Sequence, residues 1–165
     1  MTFSRANRLA VTVLVVVLLL LQYFVRPRFW DGASAPDFLL ILLVMVASSV
    51  RPGAGAITGF LTGVVADAMT PAEMGAAMLA HTVIGYLASW ARAVFFAENY
   101  LVHAGLFFGG CWLRNLLVLL FSGTSFGEFV HVAVTTGLLQ AVTTAVAGTF
   151  VVFVTREWFD VRLEA

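Results

Sequence analysis

The sequence predicts an all-α integral membrane protein, a bundle of six transmembrane helices, and three observations predict it. Hydrophobic residues make up 61% of the 165-residue chain and charged residues only 11%, against roughly 25% charge in soluble domains. Apolar runs recur along the whole length, separated by short segments rich in Pro, Gly and Arg. The period-two alternation of half-buried strands is absent, and so is any fixed-period repeat. One membrane domain is expected over residues 1–165, because no polar stretch is long enough to form a second. The nine cations, all arginine, balance nine acids, so the chain carries no basic footprint for nucleic acid. The lone Cys111 excludes an internal disulfide or a cysteine-based metal cluster. No cofactor is expected.

The first span covers residues 8–25. Arg5 and Arg8 followed by the run Leu9 to Leu21 imitate a signal peptide, but no small-residue cleavage site follows, so the helix is read as retained. Residues 26–34 are expected to form a loop, with Phe29 and Trp30 anchoring it at the interface. The second span, 36–50, opens on Pro36, with Ser34 or Ala35 as cap and Asp37 at the favourable end of the helix dipole. Arg51-Pro52-Gly53 turns the chain into the third span, 53–69. Thr70-Pro71-Ala72-Glu73 is a capping box with proline at the first helical position, and it opens the fourth, 71–96. The segment Glu98 to Tyr100 separates that span from the fifth, 99–121. A loop from Ser122 to Gly127 leads to the sixth, 128–154, and residues 156–162 form a short amphipathic tail. Spans two and three, at about 15 residues, fall short of the roughly 20 that a perpendicular helix needs. They are either surrounded by protein or set in a thinned membrane. With the N-terminus inside, the cytoplasmic segments hold Arg5, Arg8, Arg51, Arg92, Arg156 and Arg162, and the outer loops hold Arg26 and Arg28, so both termini are expected in the cytoplasm.

The third span organises the chain. Gly55, Gly59 and Gly63 recur every fourth residue and Asp67 takes the next step. On a helix these positions share one stripe, drifting about 40° per step. Glycine inside a helix costs about 1 kcal/mol against alanine, so close backbone contact with another helix or a partner must offset it. Arg114 lies inside the fifth span, where a cation needs a partner. At 1.5 Å per residue, Asp67 sits about 21 Å along its span and Arg114 about 22 Å along its own. The same half of the bilayer holds Asp37. A buried Asp67–Arg114 contact is therefore expected, with Asp37 nearby as capping group or second acceptor. Such a pair serves either as a structural staple or as part of a working surface.

Thr136, Gln140 and Thr144 form a polar stripe on the sixth span, and His81, Gly85 and Ser89 form another on the fourth. These line a small-ligand cavity or, the commoner arrangement, hydrogen-bond between helices. His81, His103 and His131 lack metal-ligand spacing. Gly123-Thr124-Ser125-Phe126-Gly127 matches a nucleophile-elbow pattern, but that chemistry needs a strand-turn-helix setting and these residues join two membrane helices. No enzymatic activity is expected.

The ordered set Pro36-Asp37, Gly59-Phe60, Gly63, Asp67, Gly75 and Thr82-x-x-Gly85-Tyr86 resembles the MreD family of rod shape-determining membrane proteins, over about residues 30–90. The resemblance implies a six-helix fold similar to the vitamin-binding S-components of energy-coupling-factor transporters. It implies a non-catalytic scaffold of the bacterial elongation complex, resident in the cytoplasmic membrane. MreC would be its direct partner, and MreB, RodA and a class B penicillin-binding protein would be further members. The alternative function on the same fold is a substrate-binding subunit of a vitamin transporter.

Overall fold

A computed structural model describes residues 5–29, 34–69, 74–94, 100–123 and 125–159. Every regular element among them is helical: α1 (Arg5–Leu20), a π-helical turn (Leu21–Val25), α2 (Arg26–Phe29), α3 (Phe38–Ala47), α4 (Pro52–Met69), α5 (Ala76–Val94), α6 (Tyr100–Phe121), α7 (Phe126–Val134) and α8 (Thr136–Phe159). Helix occupies each of the six stretches expected to span. Among the described residues, three segments are long and apolar enough to cross a membrane: Val11–Arg28, Tyr100–Phe121 and Phe126–Thr155.

α3 sits at the centre. Nine of its ten residues are buried, all but Val46. A helix that is apolar all round belongs inside protein. Ten residues reach only about 15 Å, half the roughly 30 Å hydrocarbon layer. Its shortness is therefore accommodated by surrounding protein: Leu14 and Leu18 of α1, Ile84 and Ala88 of α5, Phe107 and Cys111 of α6 and Ala141 of α8 share its core.

The first helix continues past the point where a loop was expected. Residues 26–29 are helical, and the π turn before them supplies the reason. Pro27 has no N–H to give Tyr23, and its ring would strike that carbonyl in a regular helix. Widening by one residue, with the Arg26 N–H bonded to Leu21 O, carries the helix past the proline.

The sixth expected span is not one helix. It is interrupted at Thr135, whose backbone (φ −87°, ψ −77°) stays in the right-handed region but is displaced from regular α-helical values. The Thr135 hydroxyl donates to His131 O at 2.6 Å and the Thr136 hydroxyl to Val132 O at 3.0 Å. Such back-bonding bends helices. Trp112 Nε1 donates to Ala133 O at 3.2 Å and ties the break to α6. The Thr70–Glu73 capping box lies outside the described residues, as does the tail beyond Phe159.

A polar cluster at the start of the central helix

Asp37, not Ser34 or Ala35, caps α3. Its extended backbone (φ −92°, ψ 93°) precedes the first helical residue, and its Oδ1 accepts the Leu40 N–H at 3.0 Å. Aspartate is among the strongest N-caps, and that outweighs a place in the first turn. The remaining groups at this helix start are satisfied by distant side chains. The Asp37 N–H donates to Thr144 Oγ1 at 3.0 Å, and the Phe38 N–H to Gln22 Oε1 at 2.9 Å. The Thr143 hydroxyl donates to Ser34 O at 2.9 Å. The π turn and α8 thus both dock on the first turn of α3, where unpaired donors would otherwise be stranded.

Arg114 completes the cluster. Its Nη2 lies 3.4 Å from Asp37 Oδ2, with Asp37 wholly buried and the arginine side chain 19% exposed. Its Nη1 donates to Asn115 Oδ1 at 2.8 Å, and Asn115 Nδ2 donates to Gln140 Oε1 at 2.9 Å. One turn away, Cys111 Sγ donates to Thr144 Oγ1 at 3.5 Å. One more turn along, the Phe107 ring lies where a Cβ on Gly148 would come within 2.7 Å of it. The pairs 107–148, 111–144 and 115–140 run in opposite senses at four-residue steps, so α6 and α8 are antiparallel and share a ladder of contacts.

The expected Asp67–Arg114 contact is corrected by this arrangement. Arg114 pairs with Asp37, and Asp67 is engaged elsewhere, accepting the N–H groups of Gly75 (2.9 Å), Ala77 (3.1 Å) and Met78 (3.0 Å). Depth along a helix does not say which way a side chain faces. Asp67 ends α4 next to the start of α5, whose unpaired N–H groups are nearer than any cation and suit a carboxylate.

The glycine stripe faces α5. Gly55, Gly59, Gly63 and Asp67 are the buried residues of α4. A Cβ on Gly59 would meet His81 O and lie 2.9 Å from Thr82 Cα; one on Gly63 would lie 2.7 Å from Ala77 O. Gly85 of α5 meets Gly55 in return. This surface is occupied within the chain and is not open to a partner.

The polar stripes resolve by residue. Thr144 and Gln140 join the cluster, whereas the hydroxyl of Thr136 bonds back within its own segment. On α5, Ser89 Oγ donates to Ala47 O at 2.7 Å, linking α5 to the end of α3, and His81 Nδ1 is 2.8 Å from Ala77 O. A cleft of about 170 Å³ opens beside Asn115, Ser122, Thr136 and Gln140, below the roughly 300 Å³ at which small-molecule sites begin. Among the described residues, no three His, Cys, Asp or Glu side chains converge on a point.

Gln22, Cys111 and Asn115 belong to the cluster and were missed as site residues. The signal for two of them was present: Phe107, Cys111 and Asn115 repeat at the same four-residue step as the stripe on α8. Gln22 offered none.

A family model described as rod shape-determining protein MreD matches residues 4–156. Comparisons with curated proteins and with solved structures return no match.

Proposed function

Because the chain belongs to the MreD family of rod shape-determining proteins, we propose that it is a non-catalytic membrane scaffold that binds MreC and helps control peptidoglycan synthesis. A role in rod shape determination comes with the family, and the family match over nearly the whole chain is the observation that carries the reading. MreB, RodA and a class B penicillin-binding protein are the further members of the proposed complex. The protein sits in the bacterial cytoplasmic membrane with six passes and both termini inside. The chemistry supports a scaffold: the buried Asp37, Ser89, Gln140 and Thr144 all make bonds that join helices, and Cys111, a potential nucleophile, is buried against Thr144. With the glycine stripe covered, the surface left for lipid or partner helices includes the outer face of α4, where Ile57, Phe60, Leu61, Val64 and Val65 are exposed.

Affinity purification of the full chain from its native membrane tests the reading. Recovery of MreC supports it; recovery of a transporter ATPase and no MreC overturns it in favour of the vitamin-transporter subunit. Orientation is tested separately by cysteines introduced at positions 2 and 165, since the native Cys111 is buried. An impermeant thiol reagent should leave both ends unlabelled in intact cells, and labelling of either end sinks the topology.

A further inference from the structure

Among the described residues five buried side-chain atoms make no hydrogen bond to protein, Tyr23 OH, Thr149 Oγ1, Asp37 Oδ2, His81 Nε2 and Arg114 Nε, and the last three belong to residues that lie close to one another. Asp37 and His81 are wholly buried. A buried polar group left unsatisfied is disfavoured, so three close together call for a common partner. They belong to three helices, Asp37 as the N-cap of α3, and contacts between those helices put them at one level. A Cβ on Gly110 of α6 would lie 3.6 Å from Ile84 of α5, 3.8 Å from Val44 and 3.9 Å from Leu40 of α3. One turn from that level toward the start of α3 brings Leu40 to Asp37, Ile84 to His81 and Gly110 to Arg114. The bond from Ser89 to Ala47 O fixes the same register, since eight residues back on each helix lie His81 and Leu39. The three side chains are also electrostatic neighbours.

Their hydrogen-bonding complement selects the ligand. His81 Nδ1 bonds to a carbonyl, so that nitrogen carries the proton and Nε2 presents a lone pair. Asp37 Oδ2 is an acceptor and Arg114 Nε–H a donor. Two acceptors exclude an anion, and the guanidinium disfavours a cation. What remains is a small neutral molecule with two donors and at least one acceptor. We propose that an internal water molecule is bound where α3, α5 and α6 meet, donating to Asp37 Oδ2 and His81 Nε2 and accepting from Arg114 Nε. Three bonds is the usual number for a buried water. The water extends the Asp37–Arg114 pair to α5 and makes three helices share one polar joint.

Hydroxyl-radical footprinting of the full chain in a lipid bilayer, in ¹⁸O-labelled water, tests this, because a bound water generates radicals in place. His81 should take up label well above wholly buried Phe107 after correction for intrinsic reactivity. Label on His81 no higher than on Phe107 overturns the proposal. Alkylation of Cys111 by a small thiol reagent is the companion measurement. Cys111 should stay unreactive, and ready reaction would show open access for bulk solvent, overturning a bound water as the cause of labelling.

Discussion

α4–α5 and α6–α8 are both antiparallel helix pairs whose contacts recur every four residues, yet they are built on opposite principles. The first pair is made by removing side chains: Gly55, Gly59, Gly63 and Gly85 let two backbones touch, and Asp67 adds polar bonds at its end, where it caps α5. The second is made by adding side chains that recognise one another: Asn115 with Gln140, Cys111 with Thr144, Phe107 over Gly148. In lipid, where apolar burial does not drive helices together, both routes are available. They should fail differently. A backbone seam has no room to adjust, whereas a side-chain ladder can lose a rung.

The largest effect is therefore expected in the seam. Gly59→Leu would force a side chain into the carbonyl of His81, and overpacking typically costs 1–3 kcal/mol even where some relaxation is possible. With backbone on both sides, folded protein should fail to accumulate in the membrane. Normal accumulation would show that the two helices can part.

Next is the charge pair that joins the ladder to α3. Asp37→Asn keeps a good cap but strands Arg114, a loss of about 3 kcal/mol at the lower end for a broken buried pair. Thermal unfolding in detergent should show partial recovery in the Asp37→Asn, Arg114→Gln double variant. The Asp67→Asn, Arg114→Gln combination should be additive within about 0.5 kcal/mol. Coupling in the second cycle and none in the first would reverse the assignment of Arg114.

A rung of the ladder should matter less. Gln140→Leu leaves Asn115 Nδ2 without its acceptor and should cost about 1–2 kcal/mol, read by the same unfolding measurement. A loss as large as that of Asp37→Asn would mean that the ladder is not tolerant.

The smallest effect is expected where glycine is not in contact. A Cβ on Gly109 of α6 meets nothing within 4 Å, so Gly109→Ala should be neutral or stabilise by up to about 1 kcal/mol through helix propensity. The same change at Gly63 should destabilise. Equal outcomes at the two sites would remove the distinction between seam and ladder.

Much of this was legible in the sequence, because it depends on properties of single segments. Composition and apolar run length determined a helical membrane protein, and the four-residue step of Gly55, Gly59 and Gly63 marked a close-packing face, since glycine in a helix needs an offset. Arg114 was identifiable as a cation in need of a partner. Its partner was not, because position along a helix can be counted from the sequence whereas the direction a side chain faces depends on how neighbouring helices are rotated. That rotation decided that Arg114 meets Asp37, that Asp67 serves the first turn of α5, and that Gln22, Asn115 and Thr144 converge from segments far apart in the chain. Tertiary structure also decided the interruptions. Pro27 widened a helix rather than ending it, and two threonines broke one that apolar run length alone would have drawn straight, because both outcomes depend on which neighbouring groups take up the displaced backbone hydrogen bonds.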